Sequence, residues 1–219
     1  MTGTITAQQF HDAGGVEDWR VMTNIAQAHF RTGSFPAGVA LVDAIGGLAD
    51  AANHNPDVDL RPDGVTVRLT TPTPDHFFWL SERDIELARQ ISAVARELGV
   101  LADPTAVESV QVTIDALVHS DVMPFWRAVL GYRQVGDEDL LDPRSSGPPF
   151  WFQRMDTPRP QRNRIHIDVW VPHDQAEARV AAAIAAGGHL VSDESAPAWW
   201  TLADAEGNEV DVATWMGRD

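Results

Sequence analysis

The sequence predicts an α+β protein of two domains: an antiparallel sheet with helices on one face, then paired βαβββ modules. Three observations carry that expectation. Apolar residues alternate over short runs such as Val65 to Leu69 and Ile165 to Val171, the period of a strand. Between such runs lie longer segments whose apolar residues recur every three or four positions, the period of a helix. In the second half the order β-α-β-β-β occurs twice, and Val112-Thr113-Ile114-Asp115 echoes Ile165-His166-Ile167-Asp168, the mark of an internal duplication.

The first domain covers residues 1–100. Asp18 to Met22 and Ile25 to Arg31 read as the strands of a hairpin. Ser34 followed by Pro36 opens a helix that continues through Val39, Val42, Ile45, Leu48 and Ala52 at helical spacing. Gly64 to Thr71 is the third strand. Ser81 and Asp84 have the spacing of a capping box, in which the Ser oxygen accepts from a free backbone N–H of the helix. Ile85, Ala88, Ile91, Val94, Ala95 and Leu98 then form the apolar face of that helix. Gly99 stops it, and Pro104 discourages a restart within the connector Val100 to Ala106.

The second domain covers residues 107–219. Val110 to Val118 alternates, a helix runs to Leu130-Gly131, and three short strands end at Phe150 to Arg154. Ile165 to Val171 alternates again, a helix runs from about Asp174 to Gly187-Gly188, and strands follow through Val210-Asp211-Val212. Strand parity sorts the faces. Gln111, Thr113 and Asp115 lie opposite Val112, Ile114 and Ala116. His166, Asp168 and Trp170 lie opposite Ile165, Ile167 and Val169. Glu209, Asp211 and Trp215 lie opposite Val210 and Val212. Each strand therefore offers one apolar face for helices and one polar, aromatic face.

Composition narrows the function classes. The chain of 219 residues is 44% hydrophobic and 22% charged, a globular balance. No apolar run approaches the roughly 18 residues of a membrane span, and the first residues lack a basic segment followed by an apolar one. With no Cys there is no disulfide or thiolate chemistry. The net charge is −16 and all 16 basic residues are Arg. A surface so acidic repels phosphate backbones and anionic lipid, so neither nucleic acid nor membrane is an expected partner. Without Lys there is no Schiff-base nucleophile. A cytoplasmic location fits these features.

The chemistry-bearing residues of the first domain cluster at Asn53-His54-Asn55-Pro56-Asp57, ahead of the strand ending at Thr71 and the capped helix at Ser81 to Asp84. This arrangement resembles the pterin-4a-carbinolamine dehydratase family, from about Gly15 to Leu98. The resemblance implies a hydro-lyase that removes water from a 4a-hydroxytetrahydropterin. Imidazoles suit such proton transfers because their pKa lies near neutrality. His54 matches the first His of the family motif, and Asp50, one turn earlier, stands where the family commonly has Glu. Asp50 is placed to orient or charge His54, since residues four apart share a helix face. The family usually carries a second His where this chain has Asn55, and another just after the strand's Thr, where this chain has Pro72. Asn55 hydrogen-bonds but does not shuttle protons near neutral pH. His76, in a loop longer than the family's, is a candidate to supply the missing imidazole. Pro56, Asp57 and Thr71 are implied contacts for the substrate.

In the second domain Phe125-Trp126, Phe152-Gln153-Arg154, Arg164 to Asp168 and Gly207-Asn208-Glu209 resemble the glyoxalase and vicinal-oxygen-chelate superfamily, from about Val107 to Trp215. By that pattern Gln111, His166 and Glu209 occupy metal-ligand positions. Aligning the two repeats on Asp115 and Asp168 sets Thr113 rather than Gln111 opposite His166. His, carboxylate and Gln oxygen suit a divalent ion such as Zn, Ni, Mn or Fe. Trp170 and Trp215 are candidates to line an apolar pocket for a planar ligand. Three readings follow: a pterin dehydratase fused to a glyoxalase-like domain, a metal-dependent enzyme using the second domain's cavity, or a non-catalytic protein that binds small ligands or oligomerises. Both family resemblances imply a homo-oligomer acting on, or binding, a small molecule.

Overall fold

Ala26, Ala28 and Phe30 point to one face of their strand and are fully buried, and that alternation organises the first half of the chain. The structure is a computed structural model, and it describes residues 3–71, 79–158, 166–214 and 216–217. The chain divides into two compact units, Met1–Ser109 and Val110–Asp219.

The first unit runs β1 (Thr4–Ile5), α1 (Ala7–Asp12), β2 (Arg20–Met22), β3 (Ile25–Arg31), α2 (Phe35–Ala52), β4 (Asp57–Leu60), β5 (Gly64–Leu69), β6 (Leu80–Ser81), α3 (Glu82–Glu97) and β7 (Leu101–Ala102). Its main sheet has the order β2-β3-β5-β4 and is antiparallel throughout, with β7 paired to the end of β3. The start of the expected connector is therefore the sheet's own last strand. The expected first strand is shorter than Asp18 to Met22, because Trp19 turns into the core, where its indole N–H donates to Ser92 Oγ at 3.0 Å. Val65, Val67 and Leu69 join Phe30, Trp19, Leu41, Ile45, Leu87 and Ile91 in one core. Each fully buried apolar side chain of this kind contributes on the order of 2 kcal/mol.

Ser34 caps α2 by accepting from the Ala37 N–H, with Pro36 in the first turn. The buried face of α2 is Gly38, Leu41, Ile45 and Ala49, so Val39, expected inside, is half-exposed. Gly38 matters because a Cβ there would stand 2.5 Å from a Leu60 methyl, so only glycine lets α2 approach β4 this closely. By length and composition α2 is also apolar enough to cross a bilayer, with mean hydropathy 1.4 over 18 residues. That corrects the expectation that no run approaches this measure. Ala, Val, Leu, Ile45 and Phe35 supply the hydropathy, and Asp43 and Asp50 are its charged interruptions. Leu41, Ile45 and Ala49 of this helix are packed in the unit's core.

The second unit shows the duplication directly. Its first module is β8 (Val112–Ala116), α4 (His119–Leu130), β9 (Arg133–Val135), β10 (Asp139–Leu141) and β11 (Phe150–Arg154). The second is β12 (Ile167–Trp170), α5 (Ala176–Ala185), β13 (His189–Ser192), β14 (Trp199–Ala203) and β15 (Glu209–Ala213). The sheets have matching orders, β8-β11-β10-β9 and β12-β15-β14-β13, and in each the first strand runs parallel to the last. One core joins the modules: Phe125, Trp126, Phe150 and Phe152 pack with Val180, Leu202, Val210 and Val212. Trp126 donates to the buried Asp204 at 2.9 Å, so its polar edge is satisfied inside that core.

Candidate functional sites

The first site forms where α2 ends. Asn53 adopts the left-handed conformation, with φ 48° and ψ 43°, and turns the chain so that the His54 ring lies inside the unit. His54 is 7% exposed and its Nε2 lies 2.8 Å from Oδ1 of Asp84, which is fully buried. Asp84 occupies the third position of α3, where its Oδ2 accepts from the Ser81 N–H at 2.7 Å and completes the capping box. The same oxygen accepts from Thr71 Oγ1 at 2.7 Å and from Ser81 Oγ at 3.0 Å. A carboxylate with so many donors aimed at it acts as acceptor toward His54 as well. Nε2 is therefore the donor of this contact, and in the neutral ring Nδ1 is the accepting nitrogen. A buried imidazole oriented in one tautomer by a carboxylate is suited to taking up and returning a proton.

The structure distributes the expected residues of this half unevenly. Thr71 joins His54 through Asp84, two hydrogen bonds away. Asp50 does not orient His54: its side chain is exposed on α2, and the left-handed turn at Asn53 breaks the helical register that would have stacked the two. The ring partner of His54 is Asp84, which the sequence marks only as a helix cap. Asn55 is exposed and Pro56 half-buried beside His54, while exposed Asp57 opens β4 opposite Arg68. Arg83 ties the same corner by donating to the carbonyl oxygens of Ala52 and Asn53. Pro72 and His76 lie outside the described residues.

The second site lies on the polar face of β12 and β15. Asp168 pairs in parallel register with Asp211, so their side chains share a face. His166 Nε2 stands 3.2 Å from Asp168 Oδ1 and 3.7 Å from Asp211 Oδ2. The other oxygen of Asp211 accepts from Thr201 Oγ1 at 2.6 Å, which fixes the carboxylate. One ligand atom from each of His166, Asp168 and Asp211 lies within 4.8 Å of the others. One imidazole nitrogen and two carboxylate oxygens converging from a half-open face fit a divalent ion with further positions left open. The expected ligand set differs from this. Glu209 is outside the cluster, two residues before Asp211 on the same face, because the imidazole leans along the strands toward Asp168 and Asp211. Gln111 is exposed just ahead of β8, on the other module's sheet. Trp170 is 56% exposed at the end of β12, and Trp215 lies outside the described residues.

Comparison with known proteins follows the same division. Residues 4–94 match the family model described as pterin 4 alpha carbinolamine dehydratase, and residues 111–213 match the one described as glyoxalase-like domain. A protein of Nocardia farcinica, provisionally named pterin-4-alpha-carbinolamine dehydratase, is 40% identical over 79 residues, which cover 36% of this chain and 80% of that protein. A solved structure from Brucella melitensis, described as a transcriptional coactivator/pterin dehydratase, aligns at TM-score 0.38 and 20% identity over 42% of this chain and 99% of its own. A fosfomycin resistance protein, FosX, of Listeria monocytogenes, solved as a variant with Mn(II) and a dihydroxypropylphosphonic acid, aligns at TM-score 0.39 and 11% identity, over 49% of this chain and 89% of its own.

Proposed function

The chain belongs, through its amino-terminal unit, to the pterin-4-alpha-carbinolamine dehydratase family, and on that premise we propose that this unit is a hydro-lyase acting on a 4a-hydroxytetrahydropterin. The observation that carries the reading is the buried His54–Asp84 pair, 2.8 Å apart, with Asp84 anchored by Thr71 and Ser81. Dehydration breaks the C4a–O bond, delivers a proton to the departing hydroxyl and removes one from N5, leaving water and a quinonoid dihydropterin. N5 and C4a are adjacent, so one imidazole serves both ends: Nδ1 of His54 takes the N5 proton and hands it to the hydroxyl. Asp84 is a positioning residue that fixes the tautomer and stabilises the transient imidazolium. Asn55, next along the chain and exposed, offers an amide to the edge of the pterin ring, and Pro56 and Asp57 complete that rim.

The test is dehydration of freshly generated 4a-hydroxytetrahydropterin by the full chain. The expected result is a rate above the spontaneous one, reduced about a hundredfold or more in His54→Ala. A rate no higher than background, or one equal in the variant, would contradict the reading.

A second reading is favoured by the His166–Asp168–Asp211 group: the carboxy-terminal unit binds a divalent ion such as Zn, Ni, Mn or Fe and acts on a small oxygen-bearing substrate. A bound ion would supply Lewis-acid polarisation of adjacent oxygens. This chain's part is to hold it with one nitrogen and two carboxylates, one of them steadied by Thr201. Titration calorimetry of the chelator-treated protein with Zn(II) and Mn(II) tests it. Binding is expected in the wild type and at least about tenfold weaker in Asp211→Asn, as for the loss of a ligand or its support.

A further inference from the structure

A cavity of about 550 Å3 opens beside the first turn of α4, within the second unit. It lies on the helix side of its sheet. Phe150, Phe152 and Arg154 share one face of β11; the two Phe rings are buried in the core under α4, and Arg154 lines the cavity. The His166 cluster lies instead on the face of its own sheet turned away from the buried Val210 and Val212. The cavity and the cluster are therefore separate places.

The cavity has the makings of a ligand site rather than of a packing defect. Its volume is within the range that encloses a small organic molecule. Leu117, Met123 and Pro124 give it an apolar wall, and Ser120, Gln134, His119, Asp137 and Arg154 are its polar groups. Nε2 of His119 is buried and has no hydrogen-bond partner among the described residues, while the ring is set against Phe152 at 6.4 Å between centroids. The rim is preformed, because the Glu206 carboxylate, from the loop before β15, accepts from the Leu117 and Val118 N–H groups at 2.9 and 3.0 Å. That carboxylate also sets its negative charge just before α4, so an anionic ligand group would be received by the guanidinium and not by the helix end.

We propose that this cavity binds a small monocarboxylic acid with an apolar body. Its carboxylate pairs with Arg154, and its body rests on Leu117, Met123 and Pro124, beside the His119 ring. A guanidinium presents parallel N–H donors that match a carboxylate. Among the described residues the lining has a single cation, Arg154, and Asp137 opposes a second negative charge, so a monoanion is preferred over a phosphate dianion.

The experiment uses the full chain labelled with 15N in its histidines, with benzoate as probe and phenyl phosphate and benzyl alcohol as comparisons. Calorimetry gives the affinities and the ring-nitrogen resonances report His119, assigned through His119→Phe. Expected are a benzoate-dependent shift of the His119 ring-nitrogen resonances, since that ring lines the cavity, weaker binding of both comparison compounds, and about tenfold loss of benzoate affinity in Arg154→Gln, the usual cost of a charge-assisted pair. Arg154 is exposed at a strand end, so its replacement leaves the fold intact, as circular dichroism would record. No benzoate response up to its solubility, affinity unchanged in Arg154→Gln, tighter binding of phenyl phosphate, or a response lost in His166→Ala but kept in Arg154→Gln would each overturn the proposal.

Discussion

The two halves hold a histidine among carboxylates in contrasting settings. In the amino-terminal unit His54 and Asp84 are buried, at 7% and 0% exposure, and Asp84 is fully engaged by His54, Thr71 and Ser81. In the carboxy-terminal unit His166 and Asp168 are exposed, and two carboxylates flank one imidazole on an open strand face. Burial makes each partner of the first site indispensable to the others, since an unpaired buried charge is costly. Exposure leaves the second site weakly coupled to the fold. The first is thus a site whose residues are also structural, and the second a site whose residues are nearly only chemical.

The contrast is sharpest in stability. Asp84→Ala strips the cap of α3 and leaves His54 and Thr71 without their acceptor; the expected loss is about 3–5 kcal/mol, measured by urea unfolding. Asp168→Ala, at an exposed position, is expected within about 0.5 kcal/mol of wild type. Equal costs in the two variants would erase the distinction. Next in size is the response to metal. An ion at a hundred times its Kd stabilises the wild type by about 2.7 kcal/mol and leaves Asp211→Asn much less affected. No rise in the unfolding midpoint with Zn(II) or Mn(II) would remove the cation from the account.

A third carboxylate calibrates both. Asp142 is buried, which alone would push its pKa up, but the Ser146 hydroxyl and the Arg144, Gly147 and Ser146 N–H groups outweigh burial and hold it at about 2, below the ordinary 3.8. The depressed folded value means that its contribution is complete above about pH 4 and is lost as the pH falls through about 2. Asp142→Asn is expected to flatten that part of the acid limb of stability by at most about 2 kcal/mol. An unchanged acid limb would show that these hydrogen bonds persist in the unfolded chain. The smallest expected effect is Ser81→Ala, at about 1 kcal/mol for a lost cap, with the Asp84–His54 contact retained. A cost as large as that of Asp84→Ala would mean that Ser81, not Asp84, organises the site.

The two folds were legible wherever a period or a cap spoke locally. The duplicated βαβββ order, the capping box at Ser81 and Asp84 and the two faces of β12 and β15 all follow from neighbours in sequence. Short elements were missed: α1 has six residues, although Thr6 and Gln9 form a capping box of their own, and β4 has four residues with little alternation of burial. The candidate sites were half-legible for a related reason. His54 could be singled out by its motif, but its partner lies thirty positions away on another helix, beyond any argument from a shared helix face. Parity placed Glu209 and Asp211 on the His166 face and could not say toward which of them the imidazole leans. Nor did any sequence pattern mark His119, whose interest lies in a ring that lines the cavity beside α4.

The most direct measurement is dehydration of 4a-hydroxytetrahydropterin by chelator-treated protein, with His54→Ala and His166→Ala compared side by side. The account predicts wild-type rates in His166→Ala and a loss of about a hundredfold or more in His54→Ala. Activity that survives in His54→Ala, or vanishes in His166→Ala, would contradict the assignment of the dehydration to the amino-terminal pair.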